Sequence, residues 1–324
     1  MMCRPKDKGD MTRRRFLQQA AAGGAVALGW DLVSQAQSPD SPEPTMCIAR
    51  WQGALDPAPE AGAITSMAER LTEQAIAELG GMSRFVKRGD VVWIKPNMGS
   101  LLGPEFAVNT NPDVVATLAR LCLDAGAKQV KVGDHAAYGA VRTYPISGIE
   151  AAAKAVGAEV VYLKDENFKE MALNGERLKV WPLYPEIIEA DLVINVPIVK
   201  QHGLARVTAC MKNYMGVAGN PRYQWHQDLP RCLSDLTFFM KPRLSVVDAV
   251  RVLMRNGPSG GELSDVSLKG IVAAGTNTVG LEAFSAELIG LDPKEGRTMA
   301  LAEAKGLGRV DYRSLPMKEV EVSG

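Results

Sequence analysis

Titratable and amide side chains stand in this sequence where apolar runs, typical of buried strands, come to an end. The run "VVWIKPN" ends in Lys95 and Asn97, and the run "VKVGDH" ends in Asp134 and His135. A third run, "LSVVDAV", contains Asp248. Removing such groups from water is costly, so their placement at strand ends predicts a binding or catalytic site.

The segment "KQHGLARVTACMKN" follows the apolar run "DLVINVPIV" and adds Lys200, His202, Lys212 and Asn213 to the candidate residues. Histidine suits proton transfer because its ordinary pKa lies near neutral pH, and lysines suit an anionic substrate or cofactor. We expect a strand, a turn and a short helix that fold His202 and Lys212 against the same ligand. Held together, the two side chains would lower each other's pKa.

Several of these residues also have a purely structural interpretation. Asp134 and Asp248 could cap helices or accept hydrogen bonds from loop amides. Lys95 could extend its ammonium toward solvent, and His135 could serve as a cap. His226, in the polar stretch "YQWHQDLPR", could be a solvated imidazole. The sequence leaves these alternatives open.

The elements that must position the site alternate along the chain between strand-like and helix-like patterns. We predict strands at 46–51, 90–96, 128–134, 158–163, 190–199, 243–250 and 268–275, and helices at 64–81, 111–126, 146–157, 278–290 and 293–308. This alternation predicts an α/β fold, a mainly parallel sheet with helices on both faces. Pro197 should mark where its strand leaves the hydrogen-bonded ladder, and residues 204–241 should form a lid or smaller lobe.

The N-terminal region predicts export. Arg13 and Arg14 precede Phe-Leu and a short apolar stretch, as in a twin-arginine signal, and "SQA" fits a signal peptidase cleaving after Ala36. We therefore expect a signal peptide at 1–36, a proline-rich linker at 37–45 and one domain at 46–324. The twin-arginine translocase would be a partner during export, and the periplasm the destination. A disordered basic tail or an uncleaved anchor are the alternatives.

Composition narrows the classes of partner. The 324 residues have a formal net charge of zero and 6% aromatic residues, without the basic stripe that nucleic-acid binding needs. Five cysteines show no CxxC spacing, so the chain contains no iron–sulfur motif. Its cysteines fit buried small hydrophobic residues, although their even number after the signal also permits disulfides. The turn "NGPSGG" matches no phosphate-binding motif.

Together, "VWIKPN", "NTNPDVVATLARLCLDAGAKQVKVGD", "ADLVINVPIVKQHGLARVTACMKNYMGV", "LSVVDAV", "NGPSGG" and "GLGRV" resemble the domain of unknown function 362 family. The resemblance runs from about residue 46 to 312. It implies an α/β fold, and many members also carry a ferredoxin-type iron–sulfur module, whose cysteines this chain lacks. The family usually has aspartates in the segment matching "GTNTVGLEAF", where this chain has Asn277 and Glu282.

The order His135, His202, Lys212, His226 is also similar to the His, His, Lys, His order of nickel-pincer lactate racemases. This weaker resemblance implies that the first two histidines transfer protons, that Lys212 holds a cofactor covalently and that His226 is a metal ligand. The glycine-rich context of that family's lysine is absent from "CMKNYMG".

Two functions follow as hypotheses. The first is an exported enzyme that acts on a small anionic substrate, with a divalent metal or a nickel-type nucleotide cofactor. Its catalytic residues would be His202, His135 and Lys212, and its cofactor-binding residues Lys95, Asn97, Asp134, Lys200, Asn213 and Asp248. The second is a non-catalytic protein that binds or inserts a metal or iron–sulfur cofactor for a redox partner protein.

Overall fold

The structure is a computed structural model that describes residues 43–55 and 59–324. The predicted signal peptide and the first six residues of the predicted linker lie outside the described residues. Export and cleavage after Ala36 therefore stay predictions. Within the described ranges, no helix has both the length and the apolar character needed to cross a membrane.

The described residues form twelve strands and nine α-helices. The strands are β1 (Met46–Trp51), β2 (Val91–Pro96), β3 (Gln129–Val132), β4 (Glu159–Val160), β5 (Lys169–Ala172), β6 (Val180–Leu183), β7 (Leu192–Val196), β8 (Ile198–His202), β9 (Arg206–Thr208), β10 (Leu244–Leu253), β11 (Val266–Gly275) and β12 (Met317–Val322). The helices are α1 (Ala61–Glu78), α2 (Pro112–Asp124), α3 (Ala140–Ile146), α4 (Ile149–Ala155), α5 (Pro185–Glu189), α6 (Cys210–Asn213), α7 (Leu229–Met240), α8 (Thr278–Leu288) and α9 (Arg297–Ala304).

Ten strands form one mixed, mostly parallel sheet in the order β12-β1-β11-β10-β7-β2-β3-β4. Strands β4, β3, β2, β7 and β10 run parallel, whereas β11 lies antiparallel between β1 and β10. Strand β8 pairs with β10 and with β9, and β5 and β6 form a separate two-stranded sheet. The predicted α/β fold with a mainly parallel sheet is confirmed, although the sequence did not predict β5, β6, β9, β12, α3, α5 and α7.

Alternate residues of each strand face opposite sides of the sheet, and each side has its own apolar core. On one side Val92 and Ile94 of β2 pack with residues of α1, α2, α3 and α4. On the other side Trp93 packs with residues of α5, α6, α7, α8 and α9. Lys95 is two residues beyond Trp93, so its side chain belongs to the face that α6 covers.

Helix α2 begins where the sequence predicted, because its first turn has two local devices. The Asn111 side chain accepts a hydrogen bond from the Asp113 backbone N–H, and Pro112 takes the first helical position, where its missing N–H costs nothing. Gly126, two residues past the end, adopts φ +97°, a left-handed conformation that favours glycine. The cap fixes the end of the loop that connects β2 to α2.

Pro197 divides the predicted strand at 190–199 into β7, which ends at Val196, and β8, which begins at Ile198. The predicted break at this proline is confirmed, since β7 pairs with β2 and β10 while β8 pairs with β10 and β9. The expected turn directly after one strand was wrong. Lys200 and His202 lie on β8 itself, which forms a hairpin with β9 before α6 begins.

The expectation of a lid or smaller lobe at 204–241 was also wrong. Apolar residues of this segment are buried in the same core as the sheet, including Cys210, Met211, Tyr214, Leu233 and Leu236. A lobe or mobile lid would have its own core or leave such side chains exposed. The segment therefore forms part of the helical layer on the α6 face and holds the residues of α6 over the strand ends.

Candidate functional site

Lys95 and Asp134 form a buried ion pair at the carboxyl edge of the sheet. The side chain of Lys95 is 1% exposed, and its Nζ lies 2.7 Å from Asp134 Oδ1. The same nitrogen donates to the Pro96 carbonyl at 2.7 Å and to Asn213 Oδ1 at 2.9 Å. Burial lowers the pKa of Lys95, and the Asp134 charge opposes this shift. Three acceptors match the three N–H groups of an ammonium, so Lys95 is held charged.

The backbone at Gly216 closes over this ion pair. A Cβ atom at position 216 would collide with Asp134 Oδ1 and lie 2.7 Å from Lys95 Nζ. The Gly216 carbonyl accepts a hydrogen bond from the His135 N–H at 2.8 Å, and Asp134 Oδ2 accepts from the Met98 N–H at 2.9 Å. Only glycine allows so close an approach, and nothing in its sequence context singled this residue out.

Three asparagine side chains connect α6 to the ends of β2 and β7. Asn213 Nδ2 donates to the Lys95 carbonyl at 3.0 Å and to Asn195 Oδ1 at 2.9 Å. Asn195 in turn donates to the Cys210 carbonyl at 2.8 Å, and Asn97 donates to Asn213 Oδ1 at 3.3 Å. Asn195 was not predicted, although an amide inside the apolar run "LVINVP" is the signal that would have revealed it.

Lys200 lies on β8 next to this network and is 5% exposed. Its Nζ donates to the Val108 carbonyl at 2.6 Å and to Asn97 Oδ1 at 3.2 Å. Burial and the Lys212 charge lower the pKa of Lys200 to about 7; the Asp134 charge opposes this shift, and the Lys95 charge adds a smaller lowering effect. Its neutral and charged forms are therefore both populated near neutral pH.

Lys212, on α6, is half-buried, and its Nζ contacts the Met215 thioether at 3.4 Å. Thioether sulfur is a weak acceptor, so the contact satisfies little of the ammonium's hydrogen-bonding capacity. Burial, the Arg222 charge and the Lys95 charge lower the pKa of Lys212 to about 8. Arg222, which was not predicted, donates to the carbonyls of His135 and Met215 at 3.1 and 2.9 Å.

His202 is 7% exposed and uses one ring nitrogen to close the β8–β9 turn. Its Nδ1 accepts hydrogen bonds from the backbone N–H groups of Leu204 and Ala205, each at 3.1 Å. The nitrogen that accepts cannot carry a proton, so the proton of the neutral ring is on Nε2. Burial and the charges of Lys212 and Lys200 lower the pKa of His202 to about 3. His202 thus offers Nε2–H as a hydrogen-bond donor.

His135 follows Asp134 but has both ring nitrogens engaged. Nδ1 donates to the Ala218 carbonyl at 2.8 Å, and Nε2 lies 3.0 Å from Asp165 Oδ1. The imidazole also packs on Phe168, with ring centroids 4.6 Å apart. Burial and the Arg222 charge lower its pKa, partly offset by the Ala218 hydrogen bond. These contacts connect the segments around His135, Asp165 and Ala218. Among the described residues, none of these contacts is with His202.

His226 is exposed, and its Nδ1 contacts the Tyr223 carbonyl at 2.9 Å. In the described ranges no three His, Cys, Asp or Glu side chains are grouped as metal ligands. A cation would also be repelled by the lysines and Arg222 nearby. The role of His226 as a metal ligand therefore stays a prediction.

The four described cysteines, Cys47, Cys122, Cys210 and Cys232, are free and buried. Burial raises the pKa of Cys47 and Cys122 to about 12 and that of Cys232 to about 11, so these thiols stay protonated. The prediction that they fill the core as small hydrophobic residues is confirmed for this part of the chain.

Asp248 does not join the cluster, contrary to expectation. Its two carboxylate oxygens accept from the backbone N–H groups of Asn111 at 2.7 Å and Val250 at 3.0 Å. Strand β10 runs on to Leu253, so Asp248 lies within a strand and not at its end. Burial raises the pKa of Asp248 to about 6. The structure therefore supports the alternative interpretation, in which the Asp248 carboxylate accepts hydrogen bonds from backbone amides.

Glu282 is a buried carboxyl group that supports α6 from below. Its Oε2 accepts from the Met211 N–H at 2.9 Å, and burial raises its pKa to about 7. The sequence signal for it is a charge within the apolar first part of the helix "TVGLEAFSAEL", whose first nine residues are all buried. Asn277 caps the same helix, because its Oδ1 accepts from the Gly280 N–H at 2.9 Å.

The fold and these residues define an α/β protein with a cationic cluster at the carboxyl edge of its sheet. A family model with the description "Domain of unknown function (DUF362)" matches residues 92–287, more than half of the chain. A curated thylakoid-associated protein from Synechocystis sp. is 31% identical over 257 residues, which are 76% of this chain and 77% of that protein. The chain belongs to the DUF362 family.

A solved structure with a similar arrangement is the lactate racemase apoprotein from Thermoanaerobacterium thermosaccharolyticum. The two chains are 12% identical, with a TM-score of 0.47, and the match covers 77% of this chain. This chain spans 58% of the length of the racemase chain.

Proposed function

We propose that this DUF362 protein is an enzyme that binds a small anionic substrate at the cationic cluster and acts on it by lysine-centred acid–base chemistry. The observation that carries the proposal is an imbalance of charge. Lys95, Lys200, Lys212 and Arg222 influence one another's pKa or that of a shared neighbour, and Asp134 is the buried carboxylate among them.

The buried carboxylate is already occupied by Lys95. Its pairing at 2.7 Å leaves Lys212 and Arg222 without a matching buried negative charge in the described structure. A bound carboxylate or phosphate would supply that charge and form charge-assisted hydrogen bonds, which are roughly twice as strong as neutral ones. His202 adds a neutral donor, Nε2–H, that suits an oxygen of the same ligand.

Lys212 is the residue best suited to exchange a proton with such a ligand. Its pKa of about 8 places both protonation states within reach of neutral pH, which is where a general acid or base is most effective. In the described part of the chain its nitrogen meets a single weak acceptor, the Met215 thioether at 3.4 Å, so a ligand does not have to displace a strong bond there. We therefore assign acid–base transfer to Lys212 and substrate orientation to His202.

The binding part of the proposal is tested by isothermal titration of the purified protein with lactate and with inorganic phosphate. Lys212→Met should weaken binding roughly tenfold to a hundredfold, as expected for the loss of one hydrogen bond to a charged group. Lys128→Met is the matched control, because Lys128 is exposed and precedes β3, at the opposite edge of the sheet. Equal binding by both variants would place the anion site elsewhere.

The catalytic part needs protein purified from its own host, so that any cofactor is retained. Incubation with small carboxylates in deuterated buffer should show, by proton NMR, exchange of a hydrogen next to the carboxylate. Exchange should be lost in Lys212→Met and kept in Lys128→Met. Anion binding without exchange across a panel of 2-hydroxy acids and 2-oxo acids would contradict an enzymatic role.

Export of this enzyme through the twin-arginine route belongs to the same proposal. Its support is the Arg13–Arg14 pair and the small residues that end at Ala36.

A further inference from the structure

We propose that Lys200 is a carbonyl-reactive amine, which forms an imine with a small 2-oxo acid bound at the cationic cluster. The inference rests on the proposed anion site and deepens it, because it names the class of substrate and a covalent step. It is carried by the hydrogen-bond geometry of two buried lysines, Lys95 at the end of β2 and Lys200 within β8.

The two lysines differ in the number of acceptors around Nζ. Lys95 has three within hydrogen-bonding distance, the Pro96 carbonyl, Asn213 Oδ1 and Asp134 Oδ1. Lys200 has two in the described structure, the Val108 carbonyl at 2.6 Å and Asn97 Oδ1 at 3.2 Å. An ammonium has three N–H donors, whereas a neutral amine has two donors and one lone pair. The three acceptors of Lys95 therefore match an ammonium, and the two acceptors of Lys200 match the two N–H groups of an amine.

The charges around Lys200 also favour the neutral amine. Lys212 from α6 and Lys95 from β2 repel an ammonium at this position, and His202 on the same strand is neutral. Asp134, which follows β3, attracts an ammonium but is already paired with Lys95. The amine lone pair is thus available near neutral pH, which is the requirement for attack on a carbonyl carbon.

The reaction balances with groups on this chain and water. The Lys200 lone pair attacks the carbonyl carbon to form the C–N bond, and the carbonyl π electrons move to oxygen, which takes up an amine proton. Lys212, charged at neutral pH, donates a proton to the resulting hydroxyl, which leaves as water. The product is a protonated imine that keeps one N–H, and this N–H can still donate to the Val108 carbonyl.

The burial of Lys200 sets the size of the substrate. With 5% of the side chain exposed, a compact carbonyl compound is favoured over a sugar or a long-chain ketone. The neighbouring cations favour a compound that also carries a carboxylate. A small 2-oxo acid has both groups on adjacent carbons, so its carboxylate can contact Lys212 and His202 Nε2–H while its carbonyl faces Lys200.

The test is trapping with pyruvate. The purified protein is incubated with pyruvate and sodium cyanoborohydride, and the adduct is located by peptide mass spectrometry. We expect an adduct at Lys200, with Lys95 unmodified as the internal control. Lys200→Arg should lose the adduct and Lys128→Arg should keep it. Because mapping of the unaltered protein is itself decisive, the result does not depend on whether Lys200→Arg folds.

Titration with lactate, which has no keto group, separates the two proposals. Lactate and pyruvate binding without an adduct at Lys200 would overturn the imine and leave the anion site standing. No binding of either anion and no adduct would overturn both. An adduct spread over exposed lysines at rates similar to Lys200 would show ordinary amine reactivity and would also overturn the inference.

Discussion

The carboxamides of Asn97 and Asn213 connect the two buried lysines of the site. Asn97 Nδ2 donates to Asn213 Oδ1 at 3.3 Å, and this same oxygen accepts from Lys95 Nζ at 2.9 Å. The other end of the Asn97 side chain, Oδ1, accepts from Lys200 Nζ at 3.2 Å. Neither bridging group carries a charge, so the network accepts hydrogen bonds from Lys200 without placing a negative charge beside it.

Asn97→Asp should place a negative charge beside Lys200. A carboxylate 3.2 Å from the Lys200 nitrogen would favour the ammonium and raise the pKa of Lys200 from about 7 toward the ordinary lysine value. NMR titration of the lysine side chains measures this shift directly. Asn174→Asp, at an exposed turn with φ +54°, is the control and should leave the Lys200 titration unchanged. An unaltered Lys200 pKa in Asn97→Asp would mean that the two side chains do not interact in solution.

Gly216→Ala should destabilise the protein by about 1–3 kcal/mol, the usual cost of forcing extra atoms into a packed site. The added methyl group would press on Asp134 and Lys95, whose positions are fixed by several hydrogen bonds. Gly203→Ala offers a matched control, since a Cβ at position 203 meets nothing within 4 Å. Urea unfolding of both variants compares the two costs, and a loss at position 216 no larger than at 203 would contradict the close approach.

Glu282 should make the stability of the fold depend on pH. Burial raises its pKa from 4.5 to about 7, so the folded state binds a proton over a range in which the unfolded state has released it. The contribution of Glu282 to the free energy of unfolding is therefore greatest below about pH 4.5 and is lost as the pH rises through about 7.

Glu282→Gln keeps an oxygen for the Met211 N–H but cannot ionise. The variant should be more stable than the parent above pH 7, and its stability should vary less between pH 4.5 and 7. Thermal unfolding across this range measures the difference, with Glu69→Gln on the exposed face of α1 as the control. Identical pH profiles for Glu282→Gln and the parent would exclude a raised pKa at this position.

The sheet and the residues at its strand ends could be predicted because both follow from local patterns. Apolar runs separated by amphipathic helices indicate parallel strands, and the carboxyl ends of parallel strands meet at one edge. Lys95, Asn97 and Asp134 were found by that rule. It failed at Asp248, because β10 continues to Leu253 and an aspartate inside a long strand resembles one at the end of a short strand.

The rest of the site depends on contacts that no local pattern encodes. Asn213 and Lys95 are 118 positions apart in the chain, and Arg222 reaches the carbonyl of a residue 87 positions away. The tautomer of His202 is set by two backbone N–H groups of a hairpin that was itself not predicted. Protonation states, on which the chemistry depends, are therefore properties of the assembled fold.

The break at Pro197 has a consequence for how this protein can vary. Before it, β7 is buried at all five positions between β2 and β10, so few substitutions there are compatible with folding. After it, the β8–β9 hairpin is joined to the sheet through β10 and carries Lys200 and His202 of the proposed anion site. We expect natural and laboratory selection to keep the sequence of β7 nearly unchanged. Substitutions in the β8–β9 hairpin should be tolerated more often and should alter which ligand is bound. A library meant to change what the protein binds should randomise the hairpin and leave β7 untouched.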